Sequence, residues 1–322
     1  MKKRTLGGSL EVSEISLGCM GLSHGNGPAT EENTAIRLLQ EAADMGYTMF
    51  DTAETYGFPA DPHHNEKLVG KALKSIRNRV VIATKFGVAF EYNGGELHSG
   101  LKLDSRPETI KRSVENSLHR LQTDRIDLYY QHRPDPMVEP ETVAEVMKEL
   151  IKEGKILHWG VSMASEEYIR RAHAVCPLTA SQNVYSLFSH DESLFDTLEE
   201  LNIGLVACCP IAKGAVTGCY HRGEQFEKGD MRNGSAWFSD ETMERYNELL
   251  TYLASLGREM NVTLGQLSLA WILGRKPWIV PIPGTRKSER LKENAEASDI
   301  VLSDDHMKEI NRLLSAVDTG EK

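Results

Sequence analysis

The sequence predicts an α/β protein whose parallel strands close into a (β/α)₈ barrel, with a β-hairpin across the barrel's N-terminal end. Three observations point there. Short apolar runs, eight in number, alternate with longer amphipathic segments along nearly the whole chain. No G-x-G-x-x-G follows an early strand, as a doubly wound dinucleotide fold would require. Four polar residues with one plausible joint purpose stand just past the ends of three successive runs: Asp51 and Tyr56 in DTAETYG, Lys85 in VVIATKFG, and His132 in IDLYYQHRP. In a parallel barrel all strands point their carboxyl ends at one face, so such residues converge on one cleft.

The elements follow in order. TLGGSLEVSEI reads as a hairpin turning at Gly7-Gly8, placed as a lid on the N-terminal end of the barrel. The strands are expected at Ile15–Leu17, Tyr47–Phe50, Val80–Thr84, Ile126–Tyr130, His158–Val161, Leu178–Ser181, Leu205–Cys208 and Trp278–Ile282. Helical periodicity covers Asn33–Met45, Pro107–Leu121, Pro140–Glu153, Glu166–Val175 and Leu194–Leu201, where apolar residues recur at three and four positions. Two segments break the alternation and are expected to be long βα loops that shape a substrate pocket: Phe90 to Ser105, with Asn93-Gly94-Gly95, and Tyr220 to Trp237. The tail from Val317 to Lys322 is polar. Residues 1–322 are read as one barrel domain.

Composition narrows the function. At 322 residues, with 40% hydrophobic and 26% charged, the chain can bury a full core. The basic start MKKR has no apolar stretch behind it, and no later segment approaches the roughly 20 apolar residues of a membrane span. A soluble, cytoplasmic protein is expected. Five Cys, with Cys208 and Cys209 adjacent and no C-x-x-C pair, favour reduced thiols over a disulfide framework or a zinc site. Forty-seven acidic residues against 37 basic ones give a formal charge of -10, which argues against a nucleic-acid surface.

The four rim residues suit a tuned proton donor. A phenol is a weak acid near neutral pH, and a neighbouring ammonium is expected to lower the Tyr56 pKa. Asp51 would hold Lys85, and His132 would orient a substrate oxygen. Each has a blander reading: Asp51 as a helix N-cap, Tyr56 as a loop aromatic, His132 as a structural His. Lys85 is harder to dismiss, because a Lys in a buried strand is costly unless paired. His63 and His64 are taken as surface residues, and no metal is required. Near the other end, PIPGTRKSERLKEN sets Gly284 and Thr285 before Arg286, Lys287 and Arg290 at a helix start, where free N–H groups favour a phosphate. Arg290 would suit a monoester such as the 2′-phosphate of NADP.

From end to end the chain resembles the aldo-keto reductase family, through DTAETYG, NEKLVGKAL, VVIATKFG, DLYYQHRPDP, GKILHWGVS, SQNVYSLF and IPGTRKSERLKENAEA. The QHRPDP and GCMGLS variants are similar to reductases of broad carbonyl specificity, including the pyridoxal and perakine reductase branch. The resemblance implies a TIM barrel with NADPH extended across the strand ends, Tyr56 as general acid, Lys85 and Asp51 as its tuners, and His132 at the carbonyl oxygen. It places Ser162, Met163 and Gln182 at the nicotinamide carboxamide, with Met20, Asp51, Cys208, Cys209, Pro210 and Ile211 also lining the cofactor. It places Gly284, Thr285 and Arg286 around phosphate, and Arg290, Glu293 and Asn294 at the adenosine end. Three residues depart from the usual pattern: Met163 stands for Asn, Cys208 for a stacking aromatic, and Val184 for an acidic residue, so the nicotinamide site is thinned.

The expected reaction is NADPH-dependent reduction of a small-molecule aldehyde or ketone. Two alternatives use the same scaffold. One is an NADP-holding redox-sensing or regulatory subunit that turns over slowly. The other is an isomerase or aldolase with Lys85 in a Schiff base, which would leave Tyr56, Asp51 and His132 without a role.

Overall fold

A computed structural model describes residues 1–93, 96–220, 224–227 and 230–317. Eight parallel strands form one curled sheet: β3 (Leu17–Gly18), β4 (Met49–Asp51), β5 (Val81–Phe86), β8 (Ile126–Gln131), β9 (Ile156–Ser162), β10 (Ala180–Val184), β11 (Gly204–Cys208) and β12 (Ile279–Pro281). Each overlaps one expected run. The ring closes between first and last strands through Ser16 N–H to the Pro281 carbonyl, 3.0 Å, and Gly18 N–H to the Pro283 carbonyl, 3.3 Å. Gly18 is needed there: a Cβ on it would stand 2.7 Å from the Ile282 carbonyl oxygen.

The N-terminal hairpin is present, β1 (Lys3–Leu6) pairing antiparallel with β2 (Leu10–Ser13). Gly7 and Gly8 both take positive φ, 55° and 70°, as the tight turn demands. Leu6, Leu10 and Val12 pack into the barrel interior against Met49, Ala83, Leu128, Ala180, Val206 and Val280, so the hairpin plugs one end of the barrel.

Helices cover the outside: α1 (Glu32–Asp44), α2 (His64–Leu73), α3 (Pro107–Leu121), α4 (Pro140–Lys152), α5 (Glu166–Val175), α6 (Phe195–Glu200), α7 (Asp240–Arg245), α8 (Asn247–Met260), α9 (Leu264–Arg275), α10 (Ser288–Glu296) and α11 (Asp304–Ser315). The apolar stripes of α1, α3, α4 and α5 face the outer side of the sheet and join the main core. Pro107 and Pro140 open their helices at the one place where a missing N–H costs nothing. No helix among the described residues is long and apolar enough to cross a membrane.

One expected loop needs correction. Phe90 to Ser105 is largely an antiparallel hairpin, β6 (Val88–Asn93) with β7 (Glu96–Leu103). The turn glycines Gly94 and Gly95 lie outside the described residues. The second segment, Tyr220 to Trp237, is irregular in its described part and ends in a single 3₁₀ turn at Ala236–Phe238. Tyr220, Phe226 and Phe238 pack edge to face around Arg232, whose guanidinium carbon lies 4.1 Å from the Phe226 ring centre. The segment crosses to the loop after β3, where Met231 N–H donates to the Gly25 carbonyl at 2.8 Å.

Candidate active site

Strand alternation builds the site. Met49, Ala83, Leu128, Ala180 and Val206 face the barrel interior, so the residues two positions on, Asp51, Lys85, Tyr130, Gln182 and Cys208, form the next inner layer, at the carboxyl ends of their strands. The intervening residues point outward: Thr84 donates to the Glu66 carboxylate of α2 at 2.6 Å.

At the centre of that layer Lys85 is fully buried. Its Nζ donates to Asp51 Oδ1 at 2.5 Å and to the Thr52 carbonyl at 2.8 Å. It lies 5.1 Å from the Tyr56 ring centre and 5.8 Å from that of Tyr130. The second oxygen of Asp51 accepts from Gln182 Nε2 at 2.8 Å. Asp51 is therefore no helix cap; the residue at the N-terminus of α2 is His63. Burial pulls the Lys85 ammonium down, but Asp51 and then Tyr56 more than offset it, leaving it above the ordinary lysine value. A lysine so held is an ammonium at neutral pH and a poor amine nucleophile, which removes the support for a Schiff base.

Tyr56 sits on the loop after β4, with its ring between His24, 5.8 Å away and stacked, and His132, 5.6 Å away and edge-on at 85°. The expected lowering of its pKa does not hold in this state. Burial pushes the phenol up to about 12; Lys85 pulls against this, and Asp51 and the thiols of Cys208 and Cys209 add to the rise. The ammonium acts in the expected direction but is outweighed by loss of water around a nearly enclosed ring. The phenol thus keeps its proton at neutral pH. His132 is held well below its usual pKa, by burial first and then by Lys85 and Arg133, so its imidazole is neutral. Its backbone N–H donates to the Phe86 carbonyl at 2.9 Å, and its Nδ1 is buried with no partner among the described residues.

Several neighbours were not singled out from sequence. Tyr130 lies on β8 two residues before His132, which follows the strand's last residue, a spacing that would have found it. His24, whose Nδ1 lies 2.7 Å from the Gly57 carbonyl oxygen, follows a two-residue strand and gives no periodic signal. Arg133 donates to the Ser162 hydroxyl at 3.2 Å, so Ser162 and Gln182, both expected at a carboxamide, already have protein partners. Met163 turns away at φ 55° and is 41% exposed.

Behind the tetrad, Glu54 ties the Tyr56 loop to the end of β5: its N–H donates to the Lys85 carbonyl at 3.1 Å and its Oε1 accepts from Gly87 N–H at 2.9 Å. The expected surface residue His63 is half-buried here, Nδ1 against the Glu54 carbonyl oxygen at 2.5 Å, while His64 lies 3.3 Å from the Asp61 carboxylate. Burial, and then the charge of Glu66, raise the Glu54 carboxyl to about 7, against the Gly87 N–H, the Ser113 hydroxyl and Arg120. A carboxyl raised in the folded state binds its proton more tightly than in the unfolded chain, so its contribution to stability declines as pH rises from the ordinary carboxylate range to about 7 and is level above that. Glu54→Gln is expected to flatten that decline, by at most about 1.4 kcal/mol per pH unit. Urea midpoints of the variant and parent across the same pH range check this; parallel curves would mean Glu54 ionises normally.

The segment expected to meet phosphate packs against the loop after β3. Arg286 Nε donates to the Gly21 carbonyl at 2.5 Å, while its Nη2 is buried without a partner among the described residues. The N-terminus of α10 has no side-chain cap, and Thr285 Oγ1 accepts from Lys287 N–H at 3.1 Å. A Cβ on Gly284 would meet the Gly18 carbonyl oxygen at 2.9 Å, so bare backbone lines this edge. An orphaned guanidinium nitrogen beside an uncapped helix start is a donor set that fits a dinucleotide phosphate. Arg290, expected to meet a 2′-phosphate, is paired here with Glu293 at 2.5 Å and is partly exposed; Asn294 is buried.

Comparison with known proteins agrees with this architecture. Residues 14–315 match the sequence model of the Aldo/keto reductase family. A probable aldo-keto reductase 1 of Glycine max is 37% identical over 316 residues, covering 97% of this chain and 87% of the relative. The glycerol dehydrogenase from Gluconobacter oxydans superposes with a TM-score of 0.87 at 26% identity, covering 97% of this chain and 95% of that one. An aldo/keto reductase from Klebsiella pneumoniae, solved in complex with NADP and acetate, gives 0.72 at 27% identity, covering 98% and 96%. With the buried Asp51–Lys85 pair set in the inner layer of an eight-stranded barrel, and with a match across nearly its whole length, the chain belongs to the aldo/keto reductase family.

Proposed function

We propose that the protein reduces an aldehyde or ketone to the corresponding alcohol with NADPH. The observation that carries this reading is the cluster at the strand ends of a protonated phenol, a buried ammonium held by Asp51, and a neutral imidazole. When bound, NADPH supplies the hydride. The substrate oxygen is taken by the Tyr56 hydroxyl and the His132 N–H; the oxygen gains the Tyr56 proton, and the phenolate left behind is stabilised by the Lys85 ammonium. Asp51 keeps that ammonium in place and is itself fixed by Gln182. Arg286 and the α10 N-terminus would hold phosphate, with Arg290, Glu293 and Asn294 toward the adenosine.

Arg290→Ala is expected to weaken NADPH by about tenfold or more, a charge-assisted contact of roughly 1.5–3 kcal/mol, and to leave NADH nearly unchanged. The Arg290–Glu293 pair must open for this contact, so titration of both cofactors by fluorescence decides it. Equal loss for both would assign Arg290 to holding Glu293 alone.

A second reading, an NADP-holding subunit with slow turnover, draws on Cys208 at the expected stacking position and on the protein partners of Ser162 and Gln182. The deciding experiment is NADPH and NADH consumption with a panel of aldehydes, ketones, quinones and pyridoxal. Turnover with NADPH preference supports the reductase; tight NADPH binding with no turnover, and slow hydride transfer in a single turnover, supports the subunit.

A further inference from the structure

The last residue of β11, Cys208, turns inward beside Lys85, Asp51 and Tyr56. The chain then reverses through Cys209 at φ 51°, a left-handed conformation uncommon for a residue bearing a Cβ. Both are free cysteines that keep part of their residue surface exposed, whereas Cys19 and Cys176 are buried; Cys219 is exposed in a different loop. The two side chains interact directly. Their mutual influence raises the Cys208 thiol and lowers that of Cys209, with burial working against the second effect and Lys213 and Arg133 reinforcing it. Two adjacent free thiols, the second drawn down toward its thiolate form, make an oxidisable pair with its own resolving group. None of the proposed proton-transfer steps uses either sulfur.

We propose that Cys209 and Cys208 are a reversible oxidation site for hydroperoxides, set in the wall of the reductase cleft. The Cys209 thiolate attacks one peroxide oxygen, the O–O bond breaks, and the second oxygen leaves as water or alcohol after taking a proton. Cys209 is oxidised to the sulfenic acid and the peroxide is reduced by two electrons. The Cys208 sulfur then attacks Cys209; an S–S bond forms, and the sulfenic oxygen leaves as water with the Cys208 proton. Neighbouring Cα atoms are about 3.8 Å apart, closer than an ordinary disulfide spans, so the ring is strained and readily opened by a small thiol reductant, which is itself oxidised to its disulfide. Closing the ring pulls Cys208 from beside Tyr56 and Lys85 and stops turnover. That last consequence rests on the reductase reading; the oxidation does not.

The test treats reduced full-length protein carrying Cys219→Ser with hydrogen peroxide, alkylates the remaining thiols, and reads digested peptides by mass alongside NADPH-dependent turnover. The expected result is loss of two hydrogens within the peptide holding Cys208 and Cys209, reversed by dithiothreitol together with the loss of turnover. With Cys208→Ser added, the Cys209 sulfenic acid should persist and be captured by dimedone. The proposal is overturned if both thiols stay alkylatable after peroxide, if the pair only gains oxygen that dithiothreitol does not remove, or if the disulfide forms while turnover continues. Should no carbonyl be turned over even by reduced protein, the masses still decide the oxidation, and the failure belongs to the reductase reading.

Discussion

Tyr56→Phe is expected to lower carbonyl turnover by about 10²–10⁴-fold while leaving NADPH affinity within a factor of about two. The substitution removes one oxygen and keeps the ring, so the contacts with His24 and His132 on either side survive and the loop after β4 has no reason to move. What is lost is the one phenol proton beside the buried ammonium. His132 cannot replace it as an acid, because burial and two neighbouring cations hold it neutral through the physiological range. Water is a poor substitute in a cleft where Tyr56 is only 8% exposed. Steady-state rates with a good aldehyde, paired with fluorescence titration of NADPH, separate the two quantities. A variant that reduces the aldehyde at the parent rate would sink the acid assignment; one that also loses NADPH would mean the ring positions the cofactor.

The barrel could be read from the sequence because each strand is a short apolar run facing two hydrophobic layers, and such runs keep their signal whatever surrounds them. The hairpin plug was legible for a similar local reason, since two adjacent glycines can only serve a tight turn between alternating segments. The second hairpin is harder to read, because Asn93-Gly94-Gly95 has the composition of a loop and masks the alternation in Val88–Asn93 and Glu96–Leu103 on either side. Helices α8 and α9 interrupt the simple repeat between β11 and β12, and α9 is apolar all round because it lies buried, so no single stripe marks it.

At the site, Asp51 and Lys85 were legible as a pair because an unpaired lysine in a buried strand is too costly to stand alone. The direction of the Tyr56 shift was not. It depends on whether burial or the neighbouring ammonium dominates, a balance between a whole enclosing surface and one charge, and sequence shows only the charge. The same limit applies to Arg290, whose partner Glu293 lies three residues on in a helix where either could have faced solvent or cofactor.

Lys85→Met is expected to cost stability and turnover together, whereas Lys85→Met combined with Asp51→Leu should restore much of the stability and none of the turnover. Lys85 has no exposed surface, and removing it leaves the Asp51 carboxylate buried with Gln182 as its remaining side-chain donor. An uncompensated buried charge of this kind costs about 3–5 kcal/mol. Replacing both charges by apolar groups removes that penalty, because the attraction within a buried pair roughly offsets the cost of taking both ions out of water. Recovery stays partial: the Gln182 amide then loses its acceptor, at about 1–3 kcal/mol. Turnover behaves differently. In either variant the phenolate that Tyr56 would become has no ammonium beside it, and burial, which already holds the phenol near 12, then acts unopposed. Denaturant midpoints read the first quantity and single-turnover hydride transfer the second. If the double variant regained turnover along with stability, Lys85 would serve the barrel core alone. If Lys85→Met unfolded no more easily than the parent, the Asp51 charge would have to be neutralised by a proton instead.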